Sequence, residues 1–88
     1  MINLTIIGSR NFNDYSFVKD EIIKIINVKD IKLIISGGAN GVDKLAEIFA
    51  NEFNIPTEII KPDWSIGKHA GLIRNSEIVN KSDQIIAF

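Results

Sequence analysis

Cysteine is absent from this chain, and that absence removes disulfides, thiol catalysis and cysteine-ligated zinc together. It agrees with a reducing compartment, so a cytoplasmic location is the expectation. An excess of positive charge is also lacking: ten Lys and Arg stand against eleven Asp and Glu, a formal net charge of −1. No overall field draws the chain onto a nucleic-acid backbone, and nucleic acid is not expected as a partner unless a local patch supplies the charge. Long hydrophobic runs are missing too. The apolar stretch from Met1 to Ile7 is too short to span a bilayer and lacks the basic start of a signal peptide, so no membrane association is expected. The single histidine, His69, reads as a surface residue with no carboxylate–histidine cluster beside it, and neither a metal nor a cofactor is expected.

What is present is the balance of a globular protein, 45% hydrophobic and 24% charged over 88 residues. One domain over residues 1–88 is expected, with a thin core that a second copy could supplement. Abundant Ile, Lys and Asn fit AT-rich coding DNA, as in a bacterium or a bacteriophage. Four short apolar runs recur, Leu4 to Ile7, Lys32 to Ile35, Thr57 to Ile60 and Gln84 to Phe88. Each suits a strand buried on both faces.

Helical spacing fills the intervals. Asp14 can cap a helix whose Val18, Ile22, Ile25 and Ile26 share one face. A second helix begins near Asn40 or Gly41, repeats Val42, Leu45, Ala46, Phe49 and Phe53 on one stripe, and stops at Asn54 before Pro56. A third, from Lys68 to Lys81, has a less regular stripe of Ala70, Ile73 and Val79. The order β-α-β-α-β-α-β predicts an α/β fold, a Rossmann-like open parallel sheet of about four strands with flanking helices. Ligands of such sheets bind beyond the carboxyl ends of the strands.

The groups with chemical potential follow those ends. Strand one runs into Gly8-Ser9-Arg10-Asn11-Phe12, where Gly8 permits close backbone approach, Ser9 can hydrogen-bond a phosphate or ribose, and Arg10 can grip an anion. Strand two runs into Ser36-Gly37-Gly38-Ala39-Asn40-Gly41-Val42-Asp43. Three glycines there allow a sharp turn, inward amides and a helix N-terminus facing an anion. This is neither the G-x-G-x-x-G fingerprint nor a P-loop. Asp43 either complements the helix dipole or reaches a ribose. Past strand three, Trp64 either stacks on a base or plugs the sheet edge, and Lys68, Arg74 and Asn75 bring further positive and polar groups near a helix start.

Taken together, Gly8-Ser9-Arg10-x-Phe12, Ser36-Gly37-Gly38-Ala39-x-Gly41-x-Asp43, Pro62-x-Trp64 and Gly67-Lys68-x-Ala70-Gly71-x-x-Arg74-Asn75 resemble the YspA-like branch of the SLOG superfamily. That superfamily includes the Lonely-guy phosphoribohydrolases, the DprA DNA-processing proteins and sensors of nucleotide-derived signals. The resemblance implies that Gly37, Gly38 and Gly41 form a phosphate loop and that Ser9 and Arg10 line the pocket. It also places Arg74 where Lonely-guy enzymes have an arginine acting on the sugar-phosphate, with Asn75 in place of the lysine that follows it. Relatives continue into a second glycine-threonine loop that supplies a catalytic glutamate in those hydrolases, and no such residues occur here.

Three functions follow as expectations. The first is non-catalytic binding, for sensing or sequestration, of a nucleotide-type small molecule such as an ADP-ribose derivative; in a bacteriophage this would be anti-defence in the host cytoplasm. The second is a nucleotide phosphoribohydrolase-like enzyme, which needs a carboxylate such as Glu77 or Asp83. The third is DprA-like single-stranded DNA binding, opposed by the near-neutral charge. A homo-oligomer is expected in each case, because an uncovered terminal strand exposes apolar surface.

Overall fold

The computed structural model describes residues 1–38, 40–61, 63–67 and 69–88, and of Trp64 the backbone alone. Four strands, β1 (Ile2–Ile7), β2 (Ile31–Ser36), β3 (Thr57–Ile59) and β4 (Gln84–Ala87), form one parallel sheet in the order β3-β2-β1-β4. Three helices, α1 (Tyr15–Ile25), α2 (Val42–Glu52) and α3 (Ala70–Lys81), make the connections. The alternation read from the sequence is therefore the architecture, an α/β Rossmann-like open sheet. Two short 3₁₀ turns, Val28–Asp30 and Trp64–Ile66, were not expected.

Each helix has a physical start and stop. The Asp14 carboxylate accepts from the Phe17 N–H at 3.1 Å and caps α1. At its far end Ile26 is extended (φ −134°, ψ 138°). That change of conformation turns Ile26 into the core and leaves Ile25 51% exposed, so the expected four-residue face loses Ile25. α2 starts at Gly41 and buries Val42, Leu45, Ala46 and Phe49, with Phe53 packed beside them. Its end is a left-handed Asn54 (φ 56°), with the Ile55 N–H returning to the Ala50 carbonyl at 2.8 Å.

α1 and α2 cover one face of the sheet. There Leu4, Ile6, Ile34 and Ile86 meet Val18, Ile22, Val42, Leu45 and Phe49 in the main core. From β3 the chain returns past β2 and β1 to reach β4, the reverse direction of travel. With crossovers of one hand, that reversal puts α3 on the opposite face. α3 contributes Ile78 to a smaller cluster with Ile35 and Ile60.

Its buried face is not the expected stripe. Ala70 and Ile78 are buried, whereas Ile73 and Val79 are 47% and 58% exposed. The true inner line runs through positions 70, 74 and 78, and its middle position is Arg74, hydrogen-bonded to Gly37; Lys81, at the end of the helix, is exposed and ion-paired to Glu58 at 3.0 Å. Among the described residues no helix is long and apolar enough to cross a membrane.

Candidate functional site

In this strand order the direction of travel reverses between β1, left toward β2, and β4, reached by the return from β3, and the topological switch falls there. A cleft of about 550 Å³ opens there on the α3 face. α3 packs over β2, on Ile35 and Ile60, and leaves Ile7 of β1 and Ile85 of β4 partly exposed, while Thr5 between them is buried. The floor is apolar, built from Ile7, Ile78, Val79, Ile85 and Ala87 with Thr5 between them. Its rim is polar, formed by Gly8, Arg10, Gly37, Asp43, Arg74 and Asn75.

The rim is assembled by local chain chemistry. Ser36 is fully buried at the end of β2; its Oγ accepts from the Gly38 N–H at 3.1 Å and donates to the Asp43 carbonyl at 3.2 Å. This one hydroxyl ties the glycine turn to the first turn of α2. The Ser9 carbonyl accepts from the Val42 N–H at 3.1 Å, so the loop after β1 covers the start of α2. That contact uses the first helical amide within the protein, and the open anion-facing helix start expected from the glycines is in part occupied by Ser9. Asp43 stands in the first turn, where its charge complements the helix dipole.

Arg74 connects α3 to this edge. Its Nη1 donates to the Gly37 carbonyl at 3.3 Å and its Nε to Asn75 Oδ1 at 2.9 Å. Gly37 is what makes the approach possible. A Cβ there would sit 2.6 Å from Arg74 Nη1 and 3.0 Å from Asp43 Oδ2. A planar, permanently charged guanidinium and a carboxylate therefore flank one buried glycine at the mouth of an apolar slot. The arrangement can hold an anion and a hydroxyl-bearing sugar at the rim while an aromatic or apolar body lies on the floor.

Of the residues singled out from the sequence, Gly8, Arg10, Gly37, Asp43, Arg74 and Asn75 come together on this cleft. Others serve the scaffold beside it. Ser9 turns its hydroxyl to the Asn11 N–H at 3.2 Å. Phe12 lies away from the cleft, its ring 5.9 Å from Phe17 and 6.3 Å from Phe88 between centroids. Gly38 (φ 75°) packs on Ile59 and Lys61, Gly41 packs on the Ser9–Arg10 backbone, and Asn40 is exposed before it. Ala39, Lys68 and the Trp64 side chain lie outside the described residues.

The two carboxylates considered for hydrolysis are elsewhere: Glu77 is exposed on α3, and Asp83 accepts from the Asn3 N–H at 2.7 Å at the opposite end of β4. The apolar floor was missed. Its signal was the strand alternation of Thr5 with Ile7 and of Ile85 with Ala87, which becomes readable once the strand order shows which face α3 leaves open.

A sequence profile described as the YspA, cpYpsA-related SLOG family matches residues 3–67. No curated protein and no solved structure compared with the chain gives a significant match. The matched stretch holds β1, α1, β2, α2 and β3 together with both glycine-bearing turns of the cleft rim. The chain belongs to the YspA, cpYpsA-related SLOG family.

Proposed function

We propose that the cleft binds a nucleotide or nucleotide-derived signal of the ADP-ribose type and holds it without breaking it, for sensing or sequestration. Family membership suggests a nucleotide-related function. The observation that carries the reading is the placement of Arg74 against Gly37, with Arg10 on the same rim and an apolar floor between. Phosphate oxygens belong at the guanidinium groups, because bidentate charge-assisted bonds favour them there. A base and ribose belong on the slot formed by Ile7, Val79 and Ile85, and Asp43, on the same rim, would accept from ribose hydroxyls.

Calorimetric titration with a panel of nucleoside monophosphates, cyclic nucleotides and ADP-ribose derivatives tests this. The expected result is micromolar binding of at least one member, weakened at least about tenfold by Arg74→Ala, a loss of roughly 1.4 kcal/mol. Absence of heat from the whole panel at high micromolar concentration overturns it.

A second reading rests on Asp43, the one carboxylate on the cleft rim among the described residues. If Asp43 assists departure of the base, the chain is a phosphoribohydrolase-like enzyme. Free base released from a nucleoside monophosphate, and lost in Asp43→Asn, would establish that reading in place of the first.

A further inference from the structure

The cations of this protein are held in two ways. Lys19, Lys24 and Lys81 each meet a carboxylate, Glu52 at 2.9 Å, Glu21 at 3.3 Å and Glu58 at 3.0 Å, so their charge is balanced where it stands. Arg74 is held by uncharged oxygens: its Nε donates to Asn75 Oδ1 at 2.9 Å and its Nη1 to the Gly37 carbonyl at 3.3 Å. These two bonds fix the plane of the guanidinium, and neither partner takes its charge.

The bond to Asn75 is not one that helix geometry supplies by default. Adjacent residues on a helix stand about 100° apart around the axis and do not ordinarily face each other. The Asn75 amide nevertheless reaches Arg74 Nε, and both residues line the cleft. A guanidinium has five N–H groups. With one on Nε and one on Nη1 taken, those that remain all belong to the terminal nitrogens, Nη1 and Nη2.

We propose that Asn75 is a positioning residue, which fixes the Arg74 guanidinium through Nε with an uncharged acceptor so that the terminal nitrogens meet a phosphate with their charge intact. The proposal rests on the reading of the cleft as a nucleotide site. Within that reading Arg74 touches the ligand and Asn75 acts through Arg74. The physical gain is preorganisation: a free arginine side chain gives up many rotamers when it closes on an anion, and one already held gives up fewer. The chemistry that position 75 accepts is correspondingly narrow. A side chain with no acceptor releases Nε, whereas a carboxylate keeps the bond and sets a negative charge beside the phosphate.

The chain has two arginines, Arg10 and Arg74, so their Nε–H groups give a comparison inside one isotopically labelled sample. In the ligand-free protein the Arg74 Nε–H is expected to exchange with water at least about threefold more slowly than that of Arg10, to which the described residues offer no acceptor. Asn75→Ala is expected to remove the difference and Asn75→Asp to keep it. Titrated with the nucleotide selected by calorimetry, Asn75→Ala is expected to weaken binding about fivefold. Alanine is the better helix former, so a thermal melt no lower than that of the wild type separates this loss from damage to the fold. In an Arg74→Ala background the same substitution is expected to change affinity by less than about twofold. Asn75→Asp is expected to weaken binding while the Arg74 Nε–H stays slow.

A loss on Asn75→Ala that is equal in both backgrounds would make Asn75 a ligand contact and overturn the proposal. So would an Arg74 Nε–H that exchanges as fast as that of Arg10, or an affinity that Asn75→Ala leaves unchanged. A panel from which no nucleotide binds overturns the nucleotide reading and with it the phosphate half of the proposal, while the exchange rates alone decide the hold of Asn75 on Arg74.

Discussion

Gly37 and Gly41 belong to one turn, yet a methyl group added to each would meet different kinds of atom. At Gly41 it would come within 2.2 Å of the Ser9 carbonyl oxygen and 2.5 Å of the Arg10 carbonyl carbon, at φ 73° and ψ −131°. Backbone cannot step aside cheaply, and that conformation is one that residues with a Cβ avoid. At Gly37 the nearest atom is the far end of the Arg74 side chain, 2.6 Å away, which can swing clear. Gly41→Ala is thus expected to cost roughly 2–4 kcal/mol and Gly37→Ala under about 1 kcal/mol in urea unfolding. The ranking reverses for ligand affinity, where Gly37→Ala displaces the guanidinium and weakens binding by about tenfold. Equal unfolding costs for the two substitutions would show that the Ser9–Arg10 loop does not rest on Gly41.

At the scale of elements, α1 and α2 are joined on the surface by a clasp. The Tyr15 hydroxyl donates to Glu52 Oε2, and Lys19 Nζ lies 2.9 Å from Glu52 Oε1. Burial, and then the carboxylate beside it, push the Tyr15 phenol above its ordinary range; the hydrogen bonds from Tyr15 and Lys19 hold Glu52 below its own. The two shifts act at opposite ends of the pH scale. The tyrosine contribution is complete below the unfolded phenol value, about 10, and is lost as the pH rises from there toward the folded value. The glutamate contribution is complete above the unfolded carboxyl value, about 4.3, and is lost as the pH falls through the folded one. Thermal melts of wild type and Tyr15→Phe are expected to diverge least above pH 10, where the wild type loses its advantage. Curves that run parallel through the alkaline range would remove the clasp from the stability of the pair.

The helices also show how far the sequence could be read. α2 was legible almost completely because every position of its stripe packs on a single core and its end is written in Asn54 and Pro56. α3 was not. Its inner line includes Arg74, turned inward to the Gly37 carbonyl. A hydrophobic period cannot mark a face whose middle position is charged. The same residue that hides the face helps to build the site. Recognition of Arg74 came instead from its motif with Asn75, and the apolar floor, which no motif records, had to wait for the strand order.

Over the whole molecule the two faces of the sheet carry unequal loads. On the α1–α2 side Leu4, Ile6, Ile22, Ile34 and Phe49 are fully buried, whereas on the α3 side Ile78 and Ile60 complete a cluster around Ile35 alone. α2 has no side-chain cap, but its first amide is held by the Ser9 carbonyl at 3.1 Å; α3 has no side-chain cap and rests on the smaller cluster. It should therefore open more readily than the rest, with faster amide exchange than α2. A ligand on the cleft changes this balance, since it would touch α3 through Arg74 and Asn75 and the β1, β2 and α2 ends through Arg10, Gly37 and Asp43. Binding at a hundred times Kd adds about 2.7 kcal/mol to global stability by mass action. Because the contacts bridge the least anchored helix to the sheet, local opening of α3 also breaks the site and is slowed by the ligand, whereas local openings of α1, on the opposite face, leave the site intact and are not. Hydrogen exchange with and without the nucleotide selected by calorimetry measures both helices in one experiment. Protection that rises in α1 while α3 stays unchanged would mean that the ligand does not bridge the cleft, and the site would have to be sought on another surface.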